Sequence, residues 1–463
     1  LLQSDIPYTI YATKQSHCFG ILCAMGLFGF GTKRATTHVL IDVGSASVGG
    51  AYLYCKTGSP PTLYYTARLN IEQRVGEDVE ISMMRTLGEV AGLLIREGAP
   101  TMHRETGHAH ADNITVSIAA PWQETKVRVE ATQAVRPFVF TRKLLNDMIA
   151  RSEHIPEDRI SSGDTVIATI LNGYEIADPF GKQVKRAELV VLSSTLQKHV
   201  TEAVETALRK IFHTHDISFT GFAPASYRVF RDLYPHENDY LILDIRGERS
   251  DLAFIQRGLL RDVGSIPHGT RSLMSMGRHA SELMPEVPKM QGLGASYLNP
   301  DRNSRFGAKV AEGEQQWIQG LSTLLKEFAQ RHALPRTLFL LADDDVRDYL
   351  VRALDTSVLH ALWLSDEPLR IVPVTPLQFA PYVKTHTTTQ PDIFLALLAL
   401  FQTKSTQRVE DEPEVIAAPP KLSRKQKKEM QRQEKEAAKA ARPTVSDMVT
   451  SGSVDQNEPD FSM

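Results

Sequence analysis

Cysteine is scarce in this chain: Cys18, Cys23 and Cys55 are the only three in 463 residues. They show no metal-binding spacing and cannot make a disulfide framework, so a disulfide-stapled secreted fold and a zinc ribbon are both excluded, and a reducing compartment is expected. Long apolar runs are lacking too. None reaches the roughly 18–20 residues that cross a bilayer as a helix. Charge of one sign is absent as well: 52 Lys and Arg against 55 Asp and Glu leave a net charge of −3. No global field therefore argues for nucleic acid as a partner. What is plentiful is apolar material, 42% of the chain, enough for a large core and two or more domains.

Two hairpins organise the rest. In VLIDVGSASVGGAYL (39–53) an apolar strand ends at Asp42; Gly44, Ser45 and Ser47 make the turn, and Val48 to Leu53 runs out again. In YLILDIRGERSDLAFIQRG (240–258) a strand ends at Asp244, Gly247 lies in the turn, and Ser250 and Asp251 open the return strand. Small turn residues let backbone N–H groups approach a phosphate closely, and an Asp at each turn can hold the waters of a metal ion. Each hairpin alone is ordinary turn chemistry. The pair suggests two similar domains facing one another.

The pair also carries a resemblance. Asp42-Val-Gly-Ser resembles the first phosphate loop of the actin-like ATPase superfamily; Asp244 to Asp251 resembles the second, followed by VGSIPHGTRSL (263–273) with Gly269. Within that superfamily the chain is most similar to the FtsA/PilM branch, over roughly residues 25–402, and within the branch to the type IV pilus assembly protein PilM. The resemblance implies an α/β, actin-like (ribonuclease H-like) two-domain fold with an inserted α+β subdomain and a disordered C-terminal tail. It divides the chain into an extension (1–34), a first actin-like domain (35–122), an insertion of the SHS2 type called 1C (123–195), a return to the first domain (196–239), a second actin-like domain (240–403) and a charged tail (404–463).

At the N-terminus, CFGILCAMGLFGF (18–30) is apolar but is followed by Lys33 and Arg34 and lacks a small-x-small cleavage site. Met25 is read as the true start, with a short aromatic anchor as the alternative. A strand is predicted over Thr62–Ile71 and a helix over about Gly76–Glu97, its apolar positions in three- and four-residue steps and its end set by Gly98 and Pro100. His108 and His110 are assigned to a solvated loop. In the insertion, strands at Thr125–Glu130 and Phe138–Thr141 precede a helix capped by Thr141, and Asn172-Gly173 and Asp178-Pro179-Phe180-Gly181 mark turns. Helices are also expected over 197–211, Pro224–Leu233 and 392–402.

Two departures bear on nucleotide binding. Arg246 and Glu248 stand where the family favours glycine, and the base-pocket candidates Ala342 and Asp343 open a turn of three aspartates, Asp343 to Asp345, where the family has adjacent glycines. Capping of the following helix is the favoured reading of those aspartates. The resemblance implies ATP and Mg2+ as cofactors; the departures imply weak binding and, at most, slow hydrolysis.

The functional expectation is a cytoplasmic actin-fold scaffold of a type IV pilus or related envelope machine. It would lie peripheral to the inner membrane through the cytoplasmic tail of an inner-membrane pilus assembly protein, and would pair with its own copies through the 1C subdomain. No specific nucleic acid is expected. The alternatives are an FtsA-like division protein with division partners, or an ATPase or kinase of the same fold. No catalytic base or sugar-binding constellation supports a kinase, and the tail, dense in Lys, Arg and Glu, lacks the apolar face of a membrane-binding helix.

Overall fold

In the computed structural model the described residues are 35–411, apart from 57, 75, 151–154, 177, 272, 274–304, 364–368 and 388. The expectations for Met25, Cys18 and Cys23, and for the tail beyond 411, lie outside them. The chain parts into a compact unit, Leu1–Thr403, and a second, Lys404–Met463, of which only the end of the last helix is described.

The compact unit holds three sheets. The first is built from β1 (Thr36–Val43), β2 (Ser47–Cys55), β3 (Thr62–Asn70), β4 (Asn113–Ile118), β9 (Ile217–Gly221) and β15 (Lys384–Thr385), in the order β15-β3-β2-β1-β4-β9. The second holds β10 (Tyr240–Ile245), β11 (Ser250–Gln256), β12 (Leu259–Ile266), β13 (Thr337–Leu341) and β14 (Arg370–Pro373), in the order β12-β11-β10-β13-β14. The two sheets repeat one scheme. An antiparallel meander leads, and its first strand pairs parallel with a later one: β1 with β4, β10 with β13. β1 and β10 are central, so both faces are covered and their sequences read as continuous apolar runs that end at Asp42-Val43 and Asp244-Ile245.

Helices cover the sheets. α1 (Val79–Leu93) starts at Asp78, whose Oδ1 accepts the Glu80 N–H at 2.7 Å. The predicted stop at Gly98 and Pro100 does not occur. The helix widens into one π-turn, Leu94–Gly98, and continues as α2 (Ala99–Thr106), ending at Gly107 in the left-handed region. Pro100 sits in the first turn of α2, where a missing N–H is tolerated. Gly98 is there for contact: a Cβ would lie 2.8 Å from Tyr52 Cδ2 and 3.0 Å from Tyr65 Cδ1.

The third sheet is drawn wholly from residues 123–197, in the order β5-β8-β6-β7. β5 (Gln123–Val139) is one long strand with an irregularity between Gln133 and Phe138, not the two short strands expected. β6 (Arg159–Leu171), β7 (Tyr174–Glu175) and β8 (Gln183–Gln197) complete it. Asn172 and Gly173, both at positive φ, turn β6 into β7. α3 (Arg142–Ala150) lies against this sheet over a small core of Phe140, Met148, Val184, Leu189 and Val191; Leu144 N–H donates to Thr141 Oγ1 at 3.1 Å, the cap expected there.

α4 (Lys198–Phe212) and α5 (Phe222–Leu233) follow, the second beginning two residues earlier than expected. α6 (Arg305–Ala329), α7 (Asp344–Leu354) and the short α8 (Ser357–His360) pack on the second sheet. α9 (Ile393–Asp411) is apolar all round in its first turns because it runs in the core shared by the two large sheets, beside α5. Among the described residues, no helix is long and apolar enough to cross a membrane.

Candidate functional site

Asp42 and Asp244 come together. Each ends the central strand of its sheet, and the two turns that follow meet between the sheets. Asp42 is fully buried. Its Oδ1 accepts Ser117 Oγ at 2.7 Å, from the next strand in register, and its Oδ2 accepts Arg68 Nη2 at 3.0 Å and Arg246 Nη1 at 3.1 Å. Arg246 Nε turns to the other lobe and bonds both oxygens of Asp244, at 2.9 and 3.1 Å. The guanidinium is 3% exposed and lies against two rings, 4.3 Å from the Phe222 centroid and 3.9 Å from that of Phe394. Arg68, from β3, also bonds Asp392 through Nε at 2.5 Å and Nη2 at 3.1 Å, and gives Nη1 to Ser47 Oγ at 2.9 Å. Asp392 in turn accepts the Leu395 N–H at the head of α9. Arginine suits such a place because its planar fork satisfies several carboxylates at once and stacks on aromatic faces.

The turns themselves touch. A Cβ on Gly247 would lie 2.8 Å from the backbone of Ser45 and Ala46, so only glycine allows this approach. The Glu248 N–H donates to Ser45 Oγ at 3.0 Å. Arg271 donates from Nη2 to the Ser45 carbonyl at 2.9 Å and the Ile71 carbonyl at 3.3 Å, from Nη1 to Gln73, and pairs with Glu248 at 3.2 Å. Gly269 lies closer still behind: its Cβ would run into the Arg246 carbonyl oxygen and lie 2.6 Å from the Gly247 carbonyl oxygen. Gly44 closes the first turn by donating its N–H to the Ser47 carbonyl at 3.1 Å.

The sequence candidates thus fall into two groups. Asp42, Gly44, Ser45, Ser47, Asp244, Gly247, Gly269 and Asp343 line one seam. Asp343 takes the N-cap position of α7 without a side-chain capping bond; its carboxylate accepts Ser47 Oγ instead, at 3.4 and 3.5 Å, so capping does not account for it. Ser250 and Ala342 face the second core: the Ser250 hydroxyl accepts Trp317 Nε1 at 3.0 Å and donates to the His268 carbonyl. Asp251 pairs in register with Asp244 but its carboxylate accepts Ser265 Oγ at 2.5 Å. Sequence reasoning missed Arg68, Arg271, Asp392, Phe222 and Phe394. Asp392 had a signal, an acidic residue just before an apolar helix; the others had none.

Four carboxylates, Asp42, Asp244, Asp343 and Asp392, share two guanidiniums. At Asp42 burial alone would raise the carboxyl, but Arg246 and Arg68 together hold it below the usual carboxylate range. Asp244 answers to Arg246 alone, and burial, with Asp251 beside it, pushes its carboxyl up to about 7. Burial likewise raises Asp343, to about 6. A proton entering the cluster therefore goes to Asp244 or Asp343 before Asp42. Among the described residues no group of His, Cys, Asp and Glu is arranged to hold a metal.

A triphosphate with its Mg2+ does not fit this arrangement. The space between Asp42 and Asp244 holds the Arg246 guanidinium, and the glycine backbone that would face a phosphate is in contact with the opposite turn.

No protein-family model matches the chain, and no curated protein matches it by sequence. Solved structures do. A chain of the PilM-PilN type IV pilus biogenesis complex superposes with a TM-score of 0.52 at 14% identity, covering 80% of this chain and 98% of that one. The ethanolamine utilization protein EutJ from Carboxydothermus hydrogenoformans gives 0.38 at 11% identity over 80% and 90%. A protein of actin-like ATPase fold and unknown function from Bacteroides thetaiotaomicron gives 0.37 at 10% identity over 81% and 99%. The last two scores are too low to support an argument. The chain has the actin-like fold, in a form similar to that of the PilM-PilN complex chain.

Proposed function

We propose that this chain is an actin-fold scaffold of a type IV pilus or related envelope assembly machine, held at the cytoplasmic side of the inner membrane by the tail of a membrane partner, with its nucleotide site decayed. The observation that carries the reading is Arg246 bridging Asp42 and Asp244. To admit a phosphate, this side chain has to leave two buried carboxylates. Breaking one side of a buried ion pair costs roughly 3–5 kcal/mol, which is about two to four decades of affinity. The partner half of the reading is supported by the fold shared with a pilus biogenesis complex. The inserted sheet adds support: its edge strand β5 presents Val129, Val135 and Val139 to solvent, apolar side chains suited to a protein neighbour.

The test is calorimetric titration of the purified chain with Mg-ATP, beside Asp42→Ala and Arg246→Gly. Negligible binding by the parent, with binding gained in Arg246→Gly, is the expected result. Micromolar binding by the parent that disappears in Asp42→Ala would overturn the decayed site. Crosslinking in cells addresses the partner: capture of a pilus platform protein is expected, and capture of division proteins would overturn the assignment.

A further inference from the structure

The two large sheets share one apolar core, and at the seam where their turns meet arginines make most of the polar contacts. Arg246 reaches from the second sheet's turn to Asp42 in the first. Arg271 reaches from beyond β12 to the carbonyls of Ser45 and Ile71. Arg68 reaches from β3 to Asp392 at the head of the shared helix α9.

Arg246 differs from the other two in what its removal would leave. Asp42 and Asp244 lie within bonding reach of one guanidinium, buried and on opposite sides of the seam. With Arg246 between them the seam is held by two ion pairs. Without it, Asp42 keeps only Arg68 and Ser117, and the buried Asp244 carboxyl, already raised to about 7, loses its one cation and is protonated. One side chain therefore supplies the ion pairing that joins the two turns. Its position is fixed by Phe222 and Phe394, two rings that meet edge to face, and the second belongs to α9. A lysine has neither the fork to bridge two carboxylates nor the plane to lie against these rings.

We propose that Arg246 is an intramolecular latch: its guanidinium, packed against the corner formed by Phe222 and Phe394 and bridging Asp42 to Asp244, holds the two turns together across the seam without any ligand. The closed arrangement is then a constitutive property of the chain, set by its own side chain. The inference goes beyond the pilus reading and stands whichever partner the protein has.

The experiment is hydrogen exchange on the full chain, read at the Glu248 amide, whose bond to Ser45 Oγ crosses the seam. Exchange in β1 and β10 serves as the control for global stability. In Arg246→Met the Glu248 amide exchanges faster by about tenfold or more while β1 and β10 keep their protection. Arg246→Lys moves the same way. The triple variant Asp42→Asn, Asp244→Asn, Arg246→Met, which removes the facing carboxyls together with the bolt, falls between Arg246→Met and the parent; should Arg246→Met not fold, the triple variant against the parent carries the test. Unchanged Glu248 exchange in the variants that fold overturns the latch. So does a loss of protection spread evenly through β1 and β10, which would make Arg246 a general stabiliser. The latch rests on the same Arg246 bridge as the decayed site; Mg-ATP binding by the parent fails that reading alone, whereas unchanged Glu248 exchange removes the bridge from both.

Discussion

At Asp343 the folded chain holds a proton more tightly than the unfolded chain does, because burial raises the carboxyl from 3.8 to about 6 against the pull of Arg68 and Arg246. The sign follows by linkage: this contribution to stability is complete below about pH 4 and is lost as pH rises through 6. Asp343→Asn should therefore flatten the fall in the urea midpoint between roughly pH 4 and 6.5. A variant with the parent's slope would show that Asp343 titrates normally. Legibility at this scale was uneven. Asp42 and Asp244 announced themselves because an apolar strand, an acidic residue and small turn residues are a local pattern. Arg246 could be seen as an intruder among glycines, but its partner Asp42 lies 204 residues away. No local pattern links them. Arg68 sits in a strand where a charged residue reads as solvent-facing, yet it bonds Asp42, Asp392 and Ser47.

At the scale of the element, the run from Val79 to Thr106 shows how tertiary contact overrides a local stop signal. Gly98 and Pro100 are helix breakers in isolation. Here the glycine lets the helix press on Tyr52 and Tyr65 and the proline starts a new first turn, with one π-turn absorbing the mismatch. Gly98→Ala would put a methyl group into those rings and should destabilise the chain by about 1–3 kcal/mol, even though alanine is the better helix former. Chemical denaturation decides; a gain in stability would mean the ring contact is soft. Strands were legible where apolar residues were continuous, as in β10. β5 was less so, because its polar–apolar alternation is broken by Arg136-Pro137 and reads as two pieces, whereas β8 holds it in one line across the irregularity.

At the scale of the whole molecule, the third sheet hangs on two adjacent strands. Gln123 and Leu196 are partners in register, and the Gln197 N–H donates to the Trp122 carbonyl at 2.9 Å. Replacing residues 124–195 by a short Gly-Ser link should leave a folded protein with a lower melting temperature, since Val127, Ile167 and Leu192 are lost from the large core. Loss of cooperative unfolding in circular dichroism would show that the insertion is needed for the rest to fold. The seam between the large sheets has a mechanical meaning as well. Arg246–Asp42, Arg271–Ser45 and Glu248–Ser45 lie side by side across it, so a pull that slides one lobe past the other loads them in parallel instead of unzipping them in turn. Traction applied to one lobe would then reach the other through these bonds together, as through a stiff link.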